Sequence, residues 1–380
     1  MPKRVANVAN TVRMAEAMAS HNVSINLIAR VEPEYSRTKS IWTSIESFFG
    51  VKKNSFNLSC APSNPVAYTF YTLIQVYKNK PCLIYTRSLW FASLLSFLRF
   101  KVFYHAHSEI SPGFPLAMIK KMLVTQKKIM IFCVSEGMKR LYMDEYGVSE
   151  NRLRVIRNGV PIDKFNIEEN IEKLRSKFSI NRSSFVCLYS GSLYPGRGIE
   201  LIKNVATRLP DITFVIVGGS NEDIERESHL SPENMLYVGS KPYLDVPKYL
   251  KASDLLLMPY QRSVGLPDGG SHRSSILGPL KMYEYLASGT AMIASDLSSL
   301  REVLCEETAV FADPDNAQDW VEKIKQLRND PLKRKLVGDR AKILALDHDI
   351  RNRAKEILTE MGAYNHGDSL KIKKTDNIQK

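Results

Sequence analysis

Two stretches of this 380-residue chain carry side chains suited to an anionic, hydroxyl-bearing ligand. The first is Leu188-Tyr189-Ser190-Gly191-Ser192-Leu193-Tyr194-Pro195-Gly196-Arg197-Gly198-Ile199: an apolar run, a glycine-rich loop, then a helical pattern beginning near Arg197. Backbone N–H groups at such a helix start, with the positive end of its dipole, form an anion site, and Arg197 adds a bidentate phosphate donor. The same residues also describe a plain tight turn with a solvated arginine. The second stretch is Gly278-Pro279-Leu280-Lys281-Met282-Tyr283-Glu284-Tyr285-Leu286-Ala287-Ser288-Gly289, running into a strand at Ala291–Ala294. Pro279 suits a first helical turn and Gly289 a helix end. Lys281 and Glu284, three apart, project from one face. A carboxylate there can accept two ribose hydroxyls while the ammonium one turn earlier meets a phosphate. As a mere exposed ion pair the two would contribute only ~0.2–0.5 kcal/mol. Met282, Tyr285 and Leu286 are expected to bury the other face, leaving Glu284 solvent-facing.

The elements that must position these residues alternate along the whole chain. Strands are predicted at Val23–Ala29, Cys82–Tyr85, Val102–His105, Met130–Val134 and Leu153–Ile156 in the first half. In the second they fall at Phe185–Tyr189, Thr213–Val217, Met235–Val238, Leu255–Met258, Ala291–Ala294 and Val310–Phe311, with amphipathic helical patterns between. This order implies an α/β fold with parallel sheets covered on both faces. Eleven strands exceed one ordinary sheet, so two Rossmann-like domains are expected. The boundaries are read as 1–162, 163–346, a C-terminal helix at 347–362 crossing back to the first domain, and a polar, mobile tail at 363–380. Ahead of the first helical pattern only Met1–Ala9 remain, too short and basic for a buried strand, so the first strand of the N-terminal domain is read as missing.

Composition narrows the class. With 44% hydrophobic and 24% charged residues the chain is an ordinary globular protein. Residues 1–165 hold 23 Lys/Arg and 10 Asp/Glu, whereas residues 166–380 hold 30 of each. The net charge of +13 therefore sits entirely in the first half. The five cysteines are widely spaced, with no zinc-like pair, which fits a reducing cytoplasmic compartment. The strongest apolar run, Ser88 to Leu98, is far below the ~20 residues needed to span a bilayer. The basic half, including Lys120, Lys121, Lys127 and Lys128 on a helical pattern at 115–128, suits an anionic membrane surface. No nucleic-acid-binding motif accompanies it.

Taken in order, the motifs resemble the GT-B glycosyltransferases, specifically glycosyltransferase family 4, the glycosyl transferases group 1 type. The resemblance spans nearly all of residues 1–361. It rests on Val134-Ser135-Glu136, Ile156-Arg157-Asn158-Gly159-Val160 with Phe165, the Gly191–Gly198 loop, Val215-Ile216-Val217-Gly218-Gly219 and Asn234–Gly239. Ser253-Asp254 through Pro259-Tyr260, Pro279–Gly289, Ala294-Ser295-Asp296 and Arg301-Glu302 complete it. It implies two Rossmann-like domains facing across a cleft, a nucleotide-sugar donor linked to UDP or GDP, no bound cofactor or metal, and retention of anomeric configuration. It further implies that Arg197 and Lys281 bind the donor pyrophosphate, that Glu284 holds the ribose, and that Gly191 belongs to the phosphate loop. Gly239 and Lys241 fall where the base rests, and His107, in Tyr104-His105-Ala106-His107, falls where a histidine faces the transferred sugar. The catalytic set is thus His107, Arg197 and Lys281.

Two departures stand out. Ile276 occupies the position of the family's first glutamate, eight residues before Glu284, so Asp268 in the loop Gly265–Ser275 is the substitute carboxylate considered. Ser192 stands where the phosphate loop usually has arginine. The sequence is read as offering no Asp-x-Asp type ligand set. The expected function is a hexosyltransferase of the cell envelope, cytoplasmic and peripheral at the inner membrane face, acting on a glycan or lipid-linked acceptor without nucleic acid. A GT-B sugar-nucleotide epimerase and a catalytically silent GT-B scaffold are the alternatives.

Overall fold

The structure, a computed structural model, describes residues 6–30, 38–110, 116–126, 128–265 and 270–363. The N-terminal half runs α1 (Ala6–Ala19), β1 (Asn26–Arg30), α2 (Thr38–Phe49), β2 (Asn57–Ala61), α3 (Pro65–Asn79) and β3 (Ile84–Thr86). It continues with α4 (Leu89–Phe97), β4 (Val102–Ala106), α5 (Leu116–Thr125), β5 (Ile129–Cys133), α6 (Glu136–Asp144) and β6 (Leu153–Val155). The C-terminal half runs α7 (Ile171–Lys177), β7 (Phe185–Ser190), α8 (Ile199–Arg208), β8 (Ile212–Val217), α9 (Asn221–Ser228), β9 (Met235–Gly239), α10 (Val246–Lys251) and β10 (Leu255–Met258). After it come β11 (Ser263–Gly265), β12 (Ser271–Arg273), α11 (Leu280–Ser288), β13 (Met292–Ser295), α12 (Ser298–Arg301), β14 (Val310–Ala312), α13 (Ala317–Asn329), α14 (Pro331–Leu346) and α15 (Ile350–Met361).

Six parallel strands form the C-terminal sheet in the order β14-β13-β10-β7-β8-β9. Its central strands β7, β10 and β13 are mostly apolar and, apart from half-buried Phe185, buried, as expected where helices cover both faces. The chain leaves β7 in one direction through β8 and β9, then returns to its other side for β10. That reversal opens a crevice at the carboxyl ends of β7 and β10, where α/β sheets bind ligands. In the N-terminal half β3-β4-β5-β6 form one parallel sheet and β1-β2 a separate parallel pair. Among the described residues no strand joins β1 to β3, and α1 is the first element.

Among the described residues, three of the fourteen strands are additional to the eleven expected. β2 reads Asn-Leu-Ser-Cys-Ala, without a β-branched or aromatic residue, and only its parallel register with β1 makes it a strand. β11 and β12 form a short antiparallel hairpin with little apolar content of its own. Asp268, Met1–Arg4, Lys127 and the tail beyond residue 363 lie outside the described residues.

Several contacts lock the halves together. Ser135 caps α6 by accepting from the Met138 N–H, and its hydroxyl donates to the Ile276 carbonyl at 3.0 Å. The Glu302 carboxylate accepts from the Glu136 and Gly137 N–H groups at 2.8 and 3.0 Å, so the start of α6 is filled by an anion from the other half. Arg157 stands 3.5 Å from the same carboxylate. Asn158 donates to the Gly278 carbonyl at 2.6 Å. Val160 and Phe165 already pack in the C-terminal core. Beside them residues 348–350 pair with Val160, and α15 then returns to bury Ile350, Ala354, Ile357 and Leu358 against Phe103, Phe132 and α1.

Ile276 is 3% exposed and packs with Val134 and Met138 of the N-terminal half, so it serves as an apolar anchor. Ile276→Glu, the family's usual residue, is therefore expected to destabilise by about 3 kcal/mol through lost packing and a buried carboxylate. Thermal denaturation checks this; an unchanged midpoint would show that position 276 still opens onto the crevice.

Candidate active site

The crevice at the carboxyl ends of β7 and β10 is built from the loop 191–198, the residues after β10 and the first turn of α11. Gly191 has φ +148°, and a Cβ there would lie 2.8 Å from Lys281 Nζ. A bare backbone at this position makes room for the ammonium. Gly198, at φ +89°, starts α8; a Cβ on it would meet the Pro259 carbonyl at 2.0 Å, so only glycine lets this loop lie against the β10 loop. Gly198 supplies no capping side chain, which leaves the α8 N–H groups to a ligand or water.

Lys281 is buried, so it is not one half of an exposed ion pair with Glu284. Its Nζ sits 3.8 Å from the Tyr189 ring centre and 4.9 Å from that of Tyr260, and finds no hydrogen-bond acceptor among the described residues. Arg197 donates to the Tyr260 hydroxyl at 2.9 Å, with its guanidinium 5.3 Å from the same ring. Two cations thus flank one tyrosine. Burial, reinforced by Arg197, pushes the Lys281 ammonium well below the ordinary lysine range, while Glu284 pulls weakly the other way. Burial pushes the Tyr189 and Tyr260 hydroxyls up, so both remain protonated. The Tyr285 hydroxyl accepts from Ser190 N–H at 2.8 Å and donates to the Leu257 carbonyl, tying α11 to β7 and β10.

Glu284 is not solvent-facing. Its side chain is 16% exposed and lies 3.8 Å from an Arg13 nitrogen reaching over from α1. The Arg13 guanidinium carbon stands 3.2 Å from the Tyr243 ring centre. Burial raises the Glu284 carboxyl above its usual range, opposed by Arg13 and then Lys281. Sequence reasoning missed Arg13, Tyr189, Tyr243 and Tyr260. The tyrosines' only local signal is position at or just beyond a strand's carboxyl end, and Arg13 has none.

The remaining expected residues lie around this cluster rather than in it. Gly239 closes β9 at φ +73°, its carbonyl accepting from Gly218 N–H at 2.9 Å. Lys241 follows in the next loop, 6.0 Å from the Tyr249 ring. His107 is one residue past β4, its ring 4.3 Å from that of His105. His105 is fully engaged, with Tyr85 hydroxyl at Nδ1 and the Ile156 carbonyl accepting from Nε2. Burial, then Arg87 and His105, holds the His107 imidazole well below its ordinary range, so it is neutral at pH 7. Its Nε2 has no partner among the described residues. Asp313-Pro314-Asp315 does have Asp-x-Asp spacing, but these residues form a turn: Asp313 accepts from Asp315 N–H, and Asp315 pairs with Arg262 at 2.7 Å.

Comparison with known proteins agrees with this architecture. Residues 10–164 match the Glycosyltransferase Family 4 model and residues 170–343 the Glycosyl transferases group 1 model. The chain belongs to this family of GT-B glycosyltransferases. It is 23% identical over 203 residues to the putative teichuronic acid biosynthesis glycosyltransferase TuaH of Bacillus subtilis, covering 53% of this chain and 49% of TuaH. The match thus spans about half of that relative's length. An uncharacterised 41.2 kDa protein of the Klebsiella pneumoniae cps region is 24% identical over 319 residues, covering 80% of this chain and 83% of that one. In fold the chain is similar to Anabaena HepE, solved with UDP and glucose, at TM-score 0.75 and 16% identity over 96% of this chain and 98% of that one.

The buried ammonium yields a pH dependence. Lys281 loses its proton at lower pH than an ordinary lysine, and a bound diphosphate would restore it. Nucleoside diphosphate binding is therefore expected to take up a proton and to weaken as pH rises from the lowered value toward the ordinary lysine range. Calorimetry in two buffers of different ionisation enthalpy measures the uptake, and Lys281→Met should remove it. The same uptake in that variant would assign the proton to another group.

Proposed function

We propose that this protein is a retaining glycosyltransferase. It moves a sugar from a UDP- or GDP-linked donor to a growing envelope polysaccharide or its lipid-linked precursor, at the inner face of the cell membrane. The observation that carries the reading is the pair of cations, Lys281 and Arg197, at the point where the C-terminal sheet reverses direction. TuaH is named for teichuronic acid biosynthesis, and the HepE structure holds UDP and glucose. The reading requires neither a metal nor a bound cofactor.

Cleavage of the anomeric bond leaves a nucleoside diphosphate with growing negative charge and a sugar of oxocarbenium character. Lys281, Arg197 and the uncapped start of α8 meet that charge in a low-dielectric crevice, where fixed cations act most strongly. Glu284 accepts the ribose hydroxyls once Arg13 yields its place. Gly239 and Lys241 lie beside the base, and the neutral His107 offers Nε2 to the transferred sugar. The N-terminal half presents the acceptor.

Arg197→Ala is expected to lower turnover by ~10²–10³ while changing affinity for the free nucleoside little, because its partner charge develops in the transition state. Donor cleavage at the parent rate would remove Arg197 from this role. Glu284→Gln is expected to weaken binding of the diphosphate about tenfold or more with little change in melting temperature. Unchanged affinity with a large fall in melting temperature would make Glu284 a structural partner of Arg13. Release of UDP or GDP from a panel of nucleotide sugars, without net epimerisation, tests the reaction class itself.

A further inference from the structure

The functional reading leaves unused a row of exposed apolar side chains on the helical layer over the N-terminal sheet. Along α3, Val66, Phe70, Ile74 and Tyr77 are 64%, 64%, 61% and 54% exposed. Their spacing places them on one helix face, while Thr72 and Val76 bury the other. On the neighbouring α4, Trp90 and Phe97, seven apart, are 48% and 76% exposed while Phe91, Ala92 and Leu95 face the core. The two helices lie side by side: Tyr68 meets Phe91 at 5.1 Å between ring centres, and Tyr77 meets Phe100 at 5.7 Å. Single exposed apolar residues are ordinary, but two adjacent stripes dominated by aromatics mark an interaction surface.

The charge around these stripes identifies the partner. From Asn57 to Ser135 the chain holds nine Lys/Arg and one acidic residue, Glu109. That carboxylate is taken by Arg273 of the other half, 3.1 Å away. Lys78, Lys80, Arg99 and Lys101 are exposed at the carboxyl ends of α3 and α4. Lys128, also exposed, donates to the Arg99 carbonyl at 3.4 Å, bringing the end of α5 to the same corner. An apolar, aromatic face edged by cations fits a bilayer interface: rings enter the headgroup region while lysines meet lipid phosphates. No described helix is long and apolar enough to cross a membrane, so the contact is in-plane.

We propose that the outward faces of α3 and α4, with the cations at their carboxyl ends, seat this protein on the anionic surface of a phospholipid bilayer. The proposal deepens the reading above, and rests on it in supposing a membrane-borne acceptor. To the basic residues that the sequence suggested, the lysines at 120–128 with Arg87, Arg99 and Lys101, it adds the ends of α3 and two apolar faces.

The test uses the full chain with vesicles of phosphatidylcholine, with and without phosphatidylglycerol. Sedimentation is expected only with the anionic vesicles, weakening as salt rises. Phe70→Ser with Ile74→Ser, and separately Lys78→Glu, Lys80→Glu and Arg99→Glu together, should each reduce binding tenfold or more. Of the three tryptophans, Trp42 and Trp320 are buried and Trp90 is exposed, so the emission blue shift on vesicle addition should vanish in Trp90→Phe. Equal binding to neutral vesicles, binding untouched by both sets of substitutions, or no binding would overturn the proposal. So would a solution dimer that Phe70→Ser dissociates, since a second copy would then cover this face. Affinity for UDP and GDP, measured on the same variants, should stay at the parent value. Failure of the parent to bind either nucleotide would sink the transferase reading and leave the vesicle result standing.

Discussion

The C-terminal half holds a lysine amine out of water with no hydrogen-bond acceptor among the described residues. Charging an amine buried in this way is costly, and Arg197 beside the same tyrosine adds like-charge repulsion, so both disfavour its protonated form. The surroundings restrain that cost without cancelling it. Tyr189 and Tyr260 offer the negative faces of their rings, which attract a cation but do not neutralise it. Gly191 gives up its side chain so that Nζ has room, and the Tyr285 hydroxyl pins α11 to the two strands that flank the crevice. The stability that permits this comes from elsewhere, from the largely buried β7, β8, β10 and β13 and the helices on them. On the proposed reading, an amine left unpaired where the sheet reverses takes up a proton when the anionic ligand arrives.

The same logic separates the two helix starts near the junction. The start of α6 receives Glu302 from the opposite half, with Arg157 close behind, so its partial positive charge is spent on holding the halves together. The start of α8 has only Gly198 at its cap and faces the crevice. Ile276 illustrates the trade at one position: where the family pattern has a glutamate, this chain has an apolar anchor toward Val134 and Met138. Arg13 does the reverse, sending a charge from α1 across to Glu284 and stacking on Tyr243. The N-terminal half therefore helps to shape the surroundings of Glu284 as well as presenting its own surface.

The sequence by itself determined the alternation of strand and helix, the split into two parallel-sheet halves and the confinement of excess charge to the first. It also located Gly191, Arg197, Lys281 and Glu284, because a glycine-rich strand-to-helix turn and an i,i+3 pair are local patterns. β2 was illegible, since Asn-Leu-Ser-Cys-Ala becomes a strand only through hydrogen bonds to β1. The burial of Lys281 and Glu284 was illegible too. Helical periodicity says which side chains share a face but not whether that face meets water or another element, and here it meets Tyr189, Tyr260 and Arg13. The roles of Ile276, Arg13 and Glu302 arise from contacts with residues more than a hundred positions away, and the exposure of apolar side chains on α3 and α4 from how the helices pack on the sheet. Such facts are set by which surfaces the folded chain brings together, and local spacing carries no information about them.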